Sequence, residues 1–205
     1  MSDRGTFIVL EGGEGSGKTS IAERLKKDFP EIVYTIDPGG TSLGEQIRTI
    51  LLSKKSIGMD ARAELMLFLA ARAQNIAEVI EPALSSGINV ISTRFALSTI
   101  AYQIYGRERP DLLETFRSIS NTLFEKTIPD ATILLDVTPK VGIERVHARA
   151  GETTRFDDEQ MAFHERVREG YKKHVGEFGK SFIVDSDRSL DEVWKEVRSI
   201  VQSLL

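Results

Sequence analysis

The sequence contains no cysteine, which excludes disulfides, thiolate-ligated zinc and thiol catalysis together and fits a reducing, cytoplasmic setting. No signal segment or membrane span is expected from its first residues: Met1 to Gly5 is polar, and the run Phe7 to Leu10 is far too short for a signal core or a membrane span. No internal repeat, low-complexity tract or Pro/Gly-rich linker divides the chain. There is also no excess of basic residues. Lys and Arg number 27 against 31 Asp and Glu, a net charge of −4, so the surface as a whole repels phosphate polymers and a nucleic acid is not the expected partner. Any anion site must be a local positive pocket.

What is present describes an ordinary globular protein. At 205 residues, with 40% hydrophobic and 28% charged residues, the chain is sized for one α/β domain with a full core. Short apolar, β-branched runs recur at Thr6 to Leu10, Ile32 to Ile36, Ile88 to Ser92, Ala131 to Val137 and Ser181 to Val184. Between them lie segments of helical period: Lys18 to Lys27, Leu43 to Leu52, Ala61 to Leu84, Leu97 to Tyr105, Pro110 to Glu125, Pro139 to Arg149, Asp158 to Glu177 and Leu190 to Leu204. Strands alternating with helices predict a five-stranded parallel sheet covered on both faces, with ligands beyond the carboxyl ends of the strands.

The strongest chemical signal lies between the first strand and the first helix. Gly12, Gly13, Glu14, Gly15, Ser16, Gly17, Lys18 and Thr19 match G-x-x-x-x-G-K-[ST] in full. The glycines let successive backbone N–H groups turn inward around phosphate oxygens, and the helix N-terminus adds its dipole. Lys18 is expected at the β- and γ-phosphates and the Thr19 hydroxyl in a magnesium shell. The loop alone does not separate small-molecule kinases from GTPases or ATP-driven motors. No Asn-Lys-x-Asp guanine-reading motif is present, and the third strand runs into Thr93-Arg94 rather than an acidic Walker-B ending. Both favour a kinase of small acceptors.

Three elements outline the acceptor side. Between Leu65 and Ala77, Arg72 is the one charged residue, so it must meet a carboxylate or a polar ligand; Phe68 lies one turn before it, and a ring beside a guanidinium suits a nucleobase. Arg94, at the carboxyl edge of the sheet, suits an acceptor phosphate, and Thr99, Tyr102 and Gln103 follow at helical spacing. The stretch Arg145 to Arg155, interrupted by Gly151, reads as a basic lid over about 145–157 that would neutralise transition-state charge and exclude water. His147 and His164 read as surface residues.

Taken together, Glu11 to Thr19, Asp37-Pro-Gly-Gly-Thr41, Phe68-Leu-Ala-Ala-Arg-Ala-Gln74, Leu97-Ser-Thr-Ile-Ala-Tyr-Gln103, Leu135-Asp-Val-Thr-Pro139 and Arg155-Phe-Asp157 resemble the thymidylate kinases over nearly the whole chain. The resemblance implies a nucleoside-monophosphate-kinase fold, phosphorylation of dTMP to dTDP with ATP and Mg²⁺, and a homodimer built on the helix Ala61 to Leu84. It implies that Phe68 stacks on thymine, Arg72 bonds it, Thr99 and Gln103 complete the base pocket, Glu14 approaches the deoxyribose and metal, and Arg94 holds the dTMP phosphate. Asp37 and Tyr102 join the substrate site. A P-loop with Glu14 and a lid with Arg149 and Arg155 is the family's bacterial arrangement; which lid arginine meets the transferring phosphate stays open. Two positions depart from the family pattern. Thr93 stands where an Asp precedes the arginine, and Ile36 where an Arg often precedes the acidic residue. The alternatives are a kinase-impaired nucleotide-binding homologue or a kinase of another nucleoside monophosphate.

Overall fold

The computed structural model describes residues 4–124, 126–149 and 153–205. Glu125, expected to end a helix, and residues 150–152 of the expected lid, with its Gly151, lie outside the described residues.

Five strands form one parallel sheet: β1 (Phe7–Gly12), β2 (Val33–Ile36), β3 (Val90–Thr93), β4 (Ala131–Asp136) and β5 (Lys180–Asp185). Their spatial order is β2-β3-β1-β4-β5. Each of the five expected runs is a strand. β1 is buried along its whole length, as a central strand covered on both faces must be, whereas β5 at the edge exposes Lys180, Ser181 and Ile183. Side-chain alternation splits β1 between two cores. Phe7 and Val9 face a cluster with Leu65, Leu69, Ile100 and Phe116; Ile8 and Leu10 face one with Ile21, Leu25, Val193 and Val197.

The helices are α1 (Lys18–Asp28), α2 (Ser42–Leu52), α3 (Ala61–Asn75), α4 (Glu81–Ser85), α5 (Ala96–Thr99), α6 (Leu113–Leu123), α7 (Pro139–Ala148), α8 (Met161–His174) and α9 (Leu190–Leu204). Two of the expected helices are not regular. The Ala61–Leu84 segment widens into a π-helical stretch at Ile76–Ile80 before α4, and the Leu97–Tyr105 segment does so at Ile100–Gly106. Such widenings concentrate at functional sites, and the second carries Tyr102 and Gln103. Helix ends are set by local chemistry: Thr41 caps α2 by accepting from the Gly44 N–H at 2.9 Å, and Ser189 with Glu192 closes a capping box on α9.

β1 is flanked by β3 on one side and β4 on the other, so the chain winds outward from it in both directions. The crevice this opens beyond the carboxyl ends of β1 and β3 is where the site forms. No helix among the described residues is long and apolar enough to cross a membrane.

Candidate active site

The loop after β1 turns on glycine at its tightest point. Gly15 has φ +68°, and a Cβ there would lie 2.0 Å from the Gly142 carbonyl oxygen of α7, so no side chain fits. Gly17 is the left-handed N-cap of α1 and offers no side-chain cap; the first-turn N–H groups are therefore left for an anion. The Lys18 ammonium is folded into the loop, donating to the carbonyls of Gly12 at 2.8 Å and Gly13 at 2.7 Å and to Ser16 Oγ at 2.9 Å. Burial, reinforced by Arg94, pulls its pKa down to about 7 against the opposing pull of Glu14 and Glu11.

One cavity of about 460 Å³ joins this loop to the acceptor elements. Its walls carry seven cationic side chains, Lys18, Arg48, Arg72, Arg94, Arg145, Arg149 and Arg188, against Glu14, Asp37 and Asp157. A chain of net charge −4 thus concentrates positive charge where phosphates would lie.

Arg94 is the hub. It adopts φ 69°, unusual for a non-glycine residue and concentrated at functional positions, and its N–H donates to Leu10 O at 2.8 Å. Its guanidinium donates to Glu14 Oε1 at 2.6 Å, Tyr171 Oη at 3.0 Å, Tyr102 Oη at 3.1 Å and Gly12 O at 3.1 Å. Burial works to raise the Glu14 pKa, but Arg94, Lys18 and the Tyr102 hydroxyl outweigh it and hold the carboxyl down at about 2, so Glu14 stays anionic. Glu11 is fully buried instead, accepting from Phe95 N, Ser98 N and Ser98 Oγ at 2.8, 3.1 and 2.6 Å. It anchors the start of α5 and contributes nothing to the cavity wall.

Arg72 meets a carboxylate. It pairs with Asp37, both side chains essentially inaccessible, and donates to Phe95 O at 3.0 Å and Thr99 Oγ1 at 2.9 Å. Burial pushes the Asp37 carboxyl up and Arg72 opposes it. Arg72 Nη1 and Asp37 Oδ1 have no partner among the described residues, although both residues line the cavity. A buried guanidinium N–H left unpaired is costly, and a ligand at this wall would satisfy it. Phe68, Tyr102 and Gln103 line the same wall.

Several expectations change. Thr99 is not a wall residue: it sits behind Arg72, its hydroxyl spent on the guanidinium. Arg155 does not face the cavity either. Its side chain is 4% exposed and held by Glu64 at 2.6 Å, with Nε donating to Leu51 O at 2.5 Å; a cation this deeply buried settles on the nearest buried carboxylate. Arg149, 54% exposed, reaches the wall from the expected lid, as does Arg145 at the lid's start. Arg145 belongs to α7 and donates to the carbonyls of Ser186, Asp187 and Arg188, bracing the β5–α9 turn. His164 is buried, because with Val167, Tyr171 and His174 it forms the inward stripe of α8; His147 is exposed. Arg48 is one of two cavity cations, with Arg188, that sequence reasoning missed. It projects from α2 with Nη1 donating to Pro38 O at 2.7 Å, and one basic residue on an amphipathic helix gives no sequence signal.

A phosphate loop at the head of a parallel sheet, opening into a cationic cavity with a second, aromatic-walled compartment, defines a P-loop phosphotransferase acting on a small acceptor. The thymidylate kinase family model matches residues 10–197. The chain is 38% identical over 98% of its length to a thymidylate kinase of Bacillus pumilus, covering 97% of that protein. It is 36% identical to one from Clostridium novyi, over 98% of this chain and 100% of that one. With a thymidylate kinase of Solidesulfovibrio magneticus identity is 40%, over 97% and 100%. The chain belongs to the thymidylate kinase family.

Proposed function

We propose that the protein transfers the γ-phosphoryl group of ATP to dTMP, forming dTDP. The observation that carries this is the continuity of the cavity: the phosphate loop at one end and Phe68, Arg72 and Gln103 at the other line one space, so donor and acceptor meet in it without an enzyme-bound intermediate. Gly12 to Thr19 hold the ATP phosphates. Lys18, released from the loop carbonyls, moves to the β/γ-oxygens, which supply the anion that its buried position lacks. Phe68 stacks on the base, Arg72 Nη1 and Gln103 bond its edge, and Tyr102 with Glu14 faces the sugar. Arg94 and Arg48 clamp the acceptor phosphate, Arg48 supplying a cation where the family's other arginine is replaced by Ile36. Arg149 closes from the lid side onto the transferring group, and Arg155 steadies the end of the lid from beneath.

The donor set suits Mg²⁺. Among the described residues no cluster of three acidic or imidazole ligands exists, but the Thr19 hydroxyl and the Glu14 and Asp37 carboxylates supply hard oxygens at the wall, fitting an ion held mainly by phosphates and water. Thr19 and Glu14 would hold it, directly or through water, and the ion would neutralise charge developing on the phosphate oxygens.

The exposed apolar residues Leu43 and Ile50 of α2 and Met66 of α3 support a homodimer through this helical face, and a sedimentation mass of 22.9 kDa would refute it. A cytoplasmic location is consistent with the cysteine-free composition. The activity is tested by coupled ADP release with ATP and Mg²⁺ across a panel of monophosphates. Preference for dTMP supports the reading; preference for dCMP or dAMP overturns the assignment of the base wall.

A further inference from the structure

Glu64 lies in the first turn of α3, is fully buried, and is not a cavity-wall residue. Its two oxygens accept three hydrogen bonds and pair with a second guanidinium. Oε1 accepts from Gln103 Nε2 at 2.9 Å and Arg107 Nε at 3.2 Å; Oε2 accepts from Arg107 Nη2 at 3.2 Å and lies 2.6 Å from Arg155 Nη1 in an ion pair. A carboxylate held between two guanidinium groups can only accept hydrogen bonds. That restriction settles something an amide by itself leaves open, since the oxygen and nitrogen of a glutamine side chain differ little in shape. Facing Glu64, Gln103 has to present its NH₂, and its carbonyl must point the other way. Gln103, though buried, lines the cavity, and among the described residues no donor reaches that carbonyl oxygen.

We infer that Glu64 is a positioning residue that sets base selectivity, by locking the Gln103 amide with its acceptor toward the substrate. This rests on reading the cavity as a pyrimidine monophosphate site. With Gln103 offering an acceptor and the unpartnered Arg72 Nη1 a donor, the wall matches a base edge that carries an N–H beside a carbonyl, as thymine does at N3 and O4. Cytosine carries an acceptor at N3 and an amine at C4, so both contacts become mismatched. A site committed to one hydrogen-bond pattern rejects the wrong one strongly because its own buried groups are left unpaired. The selectivity therefore depends on a residue that never touches the base.

Glu64→Gln tests this, because an amide at 64 both donates and accepts and so frees Gln103 to turn over. In the wild type, Glu64→Gln, Gln103→Met and the double variant, kcat/KM is measured for dTMP and dCMP. The preference for dTMP over dCMP is expected to fall by about tenfold or more in Glu64→Gln, the scale of one misdirected buried hydrogen bond. Gln103→Met should lower it comparably, and the double variant should lower it no further, as coupled residues do. A Glu64→Gln protein that loses rate equally on both monophosphates, with the preference unchanged, would overturn the inference and leave Glu64 a structural ion-pair partner. Failure of the wild type to phosphorylate dTMP would instead count against the proposed reaction, and the same preference would then be read as a ratio of dissociation constants by calorimetry. Should Glu64→Gln not fold, the Gln103 side-chain NH₂ resonances of the wild type, identified by their loss in Gln103→Met, decide: slow solvent exchange is expected, and exchange as fast as in an exposed glutamine overturns the inference.

Discussion

Replacing Arg149 and Arg155 separately by methionine should split activity from stability. Arg155 is 4% exposed and its partner Glu64 is inaccessible. Breaking such a pair by removing one member costs about 3–5 kcal/mol, because the other charge stays buried. Here Arg107 remains beside Glu64 at 3.2 Å with a side chain 21% exposed, so the lower end, about 3 kcal/mol, is expected. For a domain of this size each kcal/mol moves the melting temperature by about 2–4 °C, giving a fall of roughly 6–12 °C. Arg149 is half-exposed and its nearest carboxylate, Asp157, is 3.8 Å away; its loss should leave the melting temperature within about 2 °C, since exposed pairs contribute about 0–1 kcal/mol. If Arg149 neutralises charge on the transferring phosphate, kcat should fall by about 10³-fold or more. Calorimetric melting and a coupled kinase assay read both quantities on the same samples. A stable Arg155→Met protein with kcat reduced a thousandfold, beside an Arg149→Met protein of nearly normal rate, would refute the assignment.

Other expectations follow from the same geometry. Because burial and Arg94 lower the Lys18 pKa from 10.5 to about 7, the unfolded chain binds more protons than the folded one between those values, and this group makes the ligand-free protein more stable as pH rises through that window. ATP should restore the ammonium, so calorimetry at pH 8 in buffers of different ionisation enthalpy should register proton uptake on binding; absence of any buffer dependence would contradict it. Phe68→Ala should raise KM for dTMP by about ten- to a hundredfold, the loss of one base–aromatic stack, with KM for ATP nearly unchanged; an equal rise for both would mean that Phe68 only supports the wall. Ile36 and Thr93, the two departures from the family pattern, are register partners on β2 and β3 and both line the cavity. Thr93→Asp and Ile36→Arg should therefore couple, the double variant outperforming either single one by an interaction of about 0.5–3 kcal/mol in transition-state energy; additive rates would show that the positions act independently.

Much of the architecture was legible because local signals sufficed. Each strand is an apolar run ended by glycine or polar residues, and the phosphate-loop motif is complete in the sequence and needs no help from the fold to be read. Arg72 was marked by isolation, being the one charge in a long apolar stretch, although whether it met a carboxylate or a ligand was open; it meets Asp37, with one nitrogen left over. The two lid arginines were indistinguishable in sequence, because what separates them is Glu64, some ninety residues away, which captures Arg155 and leaves Arg149 outside. Arg48 was hidden on an ordinary amphipathic helix. Thr99 had the right spacing to join Gln103, yet its hydroxyl is consumed by Arg72, a contact between helices that spacing along one helix does not reveal. His164 was misread as a surface residue because one imidazole among charged neighbours masks the inward stripe of α8.

The most direct test of the phosphotransferase account is to follow the γ-phosphoryl group itself. ATP labelled at the γ-phosphate is incubated with the protein, Mg²⁺ and dTMP, and the labelled products are separated beside a Lys18→Ala control. The account predicts label at the β-position of dTDP, lost in the control and dependent on dTMP. Label accumulating in inorganic phosphate at the same rate with or without dTMP would contradict it, since the cavity would then be admitting water rather than aligning an acceptor.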